Sequence, residues 1–208
     1  MNSKDHFPFA VRPLPYPAKS LSPFLNARAV KIHHDGHYAM HIERLNRMLE
    51  GFPEYHSLPL DALILKQAFM PREIRNGVRT HAGGALNHIL FFECLAPASK
   101  SKMSGNFKKI ITDSFGSFEK FKELMKKAAL SINGAGNAYL ASDGDGRLHI
   151  MALEKSETPV EHRLKPLFPI DMWEHSYYLQ YQYHRREYLD SIFNIINWQR
   201  VEMNYFSS

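Results

Sequence analysis

Cysteine is nearly missing from this chain. Among 208 residues there is one, Cys94. No disulfide can form within the chain, which suits a reducing compartment. Following Phe91-Phe92, Cys94 reads as a small buried residue rather than a nucleophile. Long apolar runs are absent as well, so nothing here reads as a membrane span. The first residues, Met1-Asn-Ser-Lys-Asp-His-Phe7, lack the apolar core of a secretion signal. A cytoplasmic location is therefore expected, with a presequence removed before this numbering as the alternative. Repeats and low-complexity tracts are also lacking. Neither sign of charge is scarce: 26 Lys and Arg stand against 21 Asp and Glu, for a net charge of +5 with His neutral. The basic residues are scattered, apart from Lys108-Lys109, Lys126-Lys127 and Arg185-Arg186. That distribution does not form a nucleic-acid stripe. It does suit a protein that draws in a small anion. Neither a membrane nor a nucleic acid is expected as a partner.

What is present is enough for a core. Hydrophobic residues make up 44% of the chain and aromatics 12%, in a length that suits one domain or two small layers sharing a core. Pro13, Pro15 and Pro17 keep the start extended. Ser22-Pro23 reads as a helix start, and Asn26 as a cap for the longer helix that follows. That helix carries Val30, Leu45 and Leu49, together with His33, His37 and His41 at four-residue steps. A His-x-x-x-His pair could by itself hold a metal. Gly51-Phe-Pro53 ends the helix. Residues 58–69 form a short amphipathic helix stopped by Pro71, and Val78 to Leu95 a second long one, with Gly83-Gly84 allowing close backbone approach. The stretch 95–100 is the joint between two halves, expected at 1–97 and 98–208. Helices follow over 106–115 and 117–129. Then comes a hairpin, 137–142 and 148–153, turned by Asp143-Gly-Asp-Gly146. That turn lacks the later ligands of a calcium loop and reads as a plain turn. A third strand leads into Asp171, and two helices, about 176–183 and 186–197, close the chain. Helices and an antiparallel sheet in separate blocks make the fold α+β.

The densest chemistry lies in Asp171-Met-Trp-Glu-His175. An apolar strand, 164–170, ends there, and Tyr177, Tyr178 and Tyr181 continue at helical spacing. Asp171 followed by Glu174 fits a helix cap with an acid three residues on, and His175 then packs in the core. Equally, a carboxylate and an imidazole one turn apart can reach one metal ion. Two further histidines favour the second reading. They are His33 in Ile32-His-His-Asp-Gly-His37 and His88 in Gly83-Gly-Ala-Leu-Asn-His88. Three nitrogens and one oxygen suit a redox-active manganese or iron, and zinc as well.

These blocks, in order, resemble the iron/manganese superoxide dismutases over nearly the whole chain. Leu14-Pro-Tyr-Pro17, Leu21-Ser-Pro-Phe24 and Ile32-His-His34 look like the family's opening, and Asn87-His-Ile-Leu-Phe-Phe92 like its second-ligand helix. Phe115 to Gly136 is similar to its middle, and Asp171-Met-Trp-Glu-His175 with Asn194-Ile-Ile-Asn-Trp198 to its end. The resemblance implies a helical hairpin domain packed on an α/β domain with a three-stranded antiparallel sheet. It implies one Mn or Fe ion held by His33, His88, Asp171 and His175. The reaction would convert superoxide to dioxygen and hydrogen peroxide by alternate reduction and oxidation of that ion. Trp173 would wall the pocket, and Arg185 would stand near its mouth. The partner would be a second copy, in a homodimer or a tetramer. Glu174 would bond His175 of the other copy, and Tyr178 would bond His37. His34 and Tyr38 would pack or line a channel.

Four residues of the family pattern are replaced. His41 stands where the family has a gating tyrosine. The family glutamine that bonds the metal's solvent ligand comes from one of two places, which are Gly84 and Ser156 here, with Glu154 or Glu157 able to intrude if the hairpin alignment slips. Asn137 and Phe92 each replace a tryptophan. The expectation is therefore a metal-binding oxidoreductase whose potential and pH dependence are shifted, with His41 changing charge near neutral pH. The alternative is a metal-binding relative with altered or lost dismutation, acting on another small oxidant or serving a structural role. A zinc hydrolase ranks behind both, because no separate carboxylate is placed to act as base.

Overall fold

The structure, a computed structural model, describes residues 5–207. Asn26 opens the first long helix: its side-chain oxygen accepts from the Ala29 amide at 2.7 Å. The Asn26 cap stands where it was expected, whereas Ser22-Pro23, read as a helix start, lies in the turn before it and opens no helix. The rod is not uniform. Helix α1 (Ala27–Lys31) runs into a π-helical segment (Ile32–Tyr38) and then α2 (Ala39–Leu49). A π segment closes i→i+5 bonds and re-aims the side chains it carries. Histidines at four-residue steps do not distinguish it from an α-helix.

Helix α3 (Leu60–Lys66) fills one side of the hairpin. Helix α4 (Arg72–Glu93) starts directly after Pro71, ahead of the expected Val78, because a proline suits a helix start. Ile42, Leu45 and Leu49 on α2 and Val78, Ala82, Ala85 and Leu86 on α4 are buried in the shared core. These two helices are the arms of the N-terminal hairpin.

In the second half, α5 (Gly105–Phe115) and α6 (Phe118–Ser131) are capped by Ser104 and Ser117. Strands β1 (Gly136–Ser142), β2 (Leu148–Glu154) and β3 (Lys165–Asp171) form an antiparallel sheet in the order β2-β1-β3. The central strand is buried along its whole length. Pro166 and Pro169 are tolerated because β3 is an edge strand. The Asp143 carboxylate accepts from the Asp145 and Arg147 amides, a self-contained turn.

Three helices close the chain, where two were expected: α7 (Glu174–Tyr181), α8 (Arg185–Ile192) and α9 (Trp198–Phe206). Helix α8 stops early, and Asn197 caps α9 by accepting from the Arg200 amide. The halves are stitched by a bridge between Leu95 and Ile196, and by Glu93, which accepts from Arg12 and Arg200. The fold is α+β: a helical hairpin packed on an α/β unit with a three-stranded antiparallel sheet. Helix α4 lies against β3, which brings His88 to the end of the strand that holds Asp171.

Helix α4 also presses on the chain leaving β2. A Cβ on Gly83 would strike the carbonyl oxygen of Ser156. Gly83→Ala should therefore cost about 1–3 kcal/mol. The expected readout is a lower urea midpoint with an unchanged slope; an unmoved midpoint would mean that the helix is free to shift.

Candidate metal centre

Four segments deliver to one point four side chains that could ligate a metal ion. The π segment carries His33, α4 carries His88, β3 ends on Asp171, and α7 carries His175. Asp171 does not cap α7; Trp173 holds that position. Instead its Oδ1 accepts from the Trp173 amide at 2.8 Å, a turn that ends the strand and aims the other oxygen inward. That oxygen, Oδ2, lies 3.2 Å from His33 Nε2 and 3.5 Å from His175 Nε2. His88 Nδ1 donates to the Gly84 carbonyl at 2.6 Å. Its neutral Nε2 is thereby left as a bare acceptor.

The donor set fits a cation. The Nε2 atoms of His33, His88 and His175 are buried and make no hydrogen bond; the approaches to Asp171 lie off the hydrogen-bond axis. Burial pushes His33 down to about 4 against the pull of Asp171, and pushes His88 down to about 3, helped by His33. Burial alone would raise the Asp171 carboxyl, but His175 and His33 overrule it and hold it well below the usual range. A buried carboxylate crowded by imidazole nitrogens that make no hydrogen bond is poorly compensated. One cation among these atoms satisfies all four. The ligating atoms lie within 4.8 Å of one another. Bonds of about 2.1 Å require opposite ligands within ~4.2 Å, a gap that small side-chain rotations close.

A cavity of about 290 Å³ leads to this point. Trp173 forms one wall, with its ring stacked 5.7 Å from His175. His37 stacks on the His175 ring as well, with ring centroids 4.0 Å apart. Asn137 reaches the cavity because the β1–β3 register sets it opposite Asp171. Phe92 packs 4.9 Å from the His33 ring. Ser156 faces the cavity, whereas Glu154 and Glu157 line a neighbouring one. No slipped carboxylate enters beside Asp171.

His41 lines the cavity, as expected, but the expected change of charge near neutral pH is corrected. Burial, then the neighbouring His88 and His81, push it down to about 3. It is a neutral imidazole throughout the physiological range. Its ring fills the space beside Gly84: a Cβ there would fall closer than 3.0 Å to three ring atoms. Where the His41 ring lies, position 84 has no room for a Cβ.

Arg185 is not at this cavity within the chain. Its guanidinium donates to the carbonyls of Ala129 and Ile132, at 3.1 and 3.2 Å. The cationic side chain on the cavity wall is Arg44, which no motif marked. It stands three residues after His41 on α2, so helical spacing from His41 was the available signal. His81, also missed, stands one turn before Gly84 on α4. His34 and Tyr38 pack instead of lining the cavity: they bond the Arg12 carbonyl and amide. Glu174 is exposed and Tyr178 half-exposed, on the helix that carries His175.

Two family models match the sequence. The model of the alpha-hairpin domain of the iron/manganese superoxide dismutases matches residues 8–96, and that of their C-terminal domain residues 103–204. A superoxide dismutase (Mn) of Thermus thermophilus is 37% identical over 196 residues, which is 94% of this chain and 96% of that protein. One from Pseudomonas aeruginosa is 35% identical over 198 residues, covering 95% and 97%. Superoxide dismutase (Mn) 2 of Bacillus anthracis is 34% identical over 200 residues, covering 96% of each.

The buried histidines give the metal-free protein an acid weakness. For His33, His41 and His88 the folded value lies below the ordinary 6.5. Above pH 6.5 neither state binds the protons. Below it, the unfolded chain takes them up and the folded chain does not, so stability falls until the pH reaches about 4 to 3. Each group costs roughly 1.4 kcal/mol per pH unit in that window. The urea midpoint of metal-free protein should drop steeply from pH 6.5 to 4.5, and His41→Gln should make the drop shallower.

Proposed function

The chain belongs to the iron/manganese superoxide dismutases, and from that premise we propose which of its residues carry the family's reaction. It is an oxidoreductase that converts superoxide to dioxygen and hydrogen peroxide through one manganese or iron ion. The observation that carries the assignment of residues is the convergence of three unpartnered imidazole nitrogens on one ionised carboxylate. His33, His88, Asp171 and His175 hold the ion, and when bound it supplies a redox couple that accepts an electron from one superoxide and returns it to another.

The remaining work falls to the cavity wall. The Gly84 carbonyl fixes the His88 tautomer and so keeps Nε2 free for the ion. Trp173 and His37 each stack against the His175 ring and steady it. His41 meets the substrate as a neutral hydrogen-bonding group. Two protons are needed for each peroxide, and they pass through the polar side chains of the wall, with the Ser156 hydroxyl among them. Arg44 replaces Arg185 as the cation that draws in the anion: it lines the cavity and has no carboxylate partner among the described residues. A second copy of the chain docks over Glu174 and Tyr178, beside His175. With its single buried cysteine, the chain suits the reducing cytoplasm as an antioxidant enzyme.

The departures at Gly84 and Ser156 support a second reading, a metal-binding relative with weak dismutation. Protein loaded separately with manganese and with iron, at verified occupancy, separates the two. A fast rate with one metal names the ion; full occupancy with negligible rates for both leaves the second reading. Arg44→Glu should lower the second-order rate by about 3- to 10-fold at low salt and remove its ionic-strength dependence. Metal content should stay unchanged. An unaltered salt dependence would place the steering charge elsewhere.

A further inference from the structure

His41 on α2 and His81 on α4 meet in the wall of the metal cavity. Their Nδ1 atoms are 3.1 Å apart in a buried position. Two N–H groups cannot face each other at that distance, and two lone pairs gain nothing from it. One ring therefore donates and the other accepts. Neutral imidazole carries one N–H, so the two tautomers are tied in opposition. If His81 donates, His41 is protonated on Nε2 and can donate into its surroundings. If His41 donates, its Nε2 is bare and His81 carries its proton on the outer nitrogen. Burial favours neutral rings in both, and Arg44 adds to that at His81.

The His41 ring is confined on a second side. Its atoms occupy the space that a Cβ at position 84 would take, so glycine there accommodates the ring where it lies. Among the described residues, its Nε2 has no protein partner. From this geometry we infer that His81 is a positioning residue for His41: the bond between their Nδ1 atoms fixes the ring and sets whether Nε2 donates or accepts. An anion in the cavity accepts hydrogen bonds and offers none. It selects the state in which His81 donates and His41 presents Nε2–H. The inference rests on the reading of His41 as a group that meets the substrate. His81 and Gly84 then form with His41 a matched set that takes the place of the family tyrosine.

The tautomers can be read without turnover. Full-length protein labelled with 15N-histidine and loaded with zinc, a diamagnetic ion, reports the protonated nitrogen of each ring by NMR. The expected result is opposite tautomers for His41 and His81 in the unaltered protein. His81→Leu should abolish the single His41 signature, and His81→Asn, which sets an amide atom near the lost Nδ1, should restore it. In manganese- or iron-loaded protein, His81→Leu should lower turnover roughly 10-fold at unchanged occupancy, with recovery in His81→Asn. The same tautomer on both rings of the unaltered protein overturns the inference, and so does a His41 signature untouched by His81→Leu. The unaltered protein tests it even if His81→Leu fails to fold. Opposed tautomers in a protein without dismutation would sink the functional reading alone.

Discussion

A buried carboxylate crowded by three imidazole nitrogens that make no hydrogen bond is the constraint on which this structure depends. Asp171 and the nitrogens of His33, His88 and His175 come from four separate segments. In an apolar interior such a set costs free energy unless a cation completes it. The fold can hold this arrangement because three of the four side chains are fixed from behind. The Asp171 Oδ1 is tied to the Trp173 amide, the His88 Nδ1 to the Gly84 carbonyl, and the His175 ring stacks with His37 and Trp173. The backbone does the aiming, and the unsatisfied atoms are left for the ion.

Around that point, substitutions are coupled through space. His41 is shorter than a tyrosine and lies back on α4, where its ring takes up the volume above Gly84. A Cβ at position 84 would strike the ring where it lies. Burial strips His41 of its proton, so the cavity holds a neutral imidazole where a pH-sensitive one was expected. The fixed positive charge on the wall belongs to Arg44, while Arg185 is occupied by the end of α6. An anionic substrate thus meets a cation at the wall and neutral donors within, an order that favours capture without a competing charge beside the metal.

Much of this was legible in the residues. Apolar periodicity, prolines, glycines and side-chain caps mark local structure, and local structure depends on neighbours in sequence. The two long helices, the hairpin at Asp143 and the strand that ends on Asp171 could all be read this way. The four candidate ligands could be named as well, but through the resemblance to the iron/manganese superoxide dismutases; by themselves Asp171 and His175 also read as a helix cap and a core residue. The π segment escaped notice because four-residue histidine steps suit either helix. Helix α9 did too, because Asn197 caps a new helix rather than continuing α8.

Sequence by itself determined the donor atoms: three imidazoles, one carboxylate, a single cysteine unable to cross-link, and a net positive charge. Tertiary structure alone decided what surrounds them. Whether Arg44 or Arg185 faces the cavity, whether Ser156 or its acidic neighbours enter it, and whether His41 is charged are questions of distance and burial. Those are set by how α2, α4 and the sheet pack. Position 84 and position 41 lie on different helices, and His81 bonds His41 across 40 positions of sequence. A side chain's type travels with the sequence, but its protonation and its partner belong to the space it occupies.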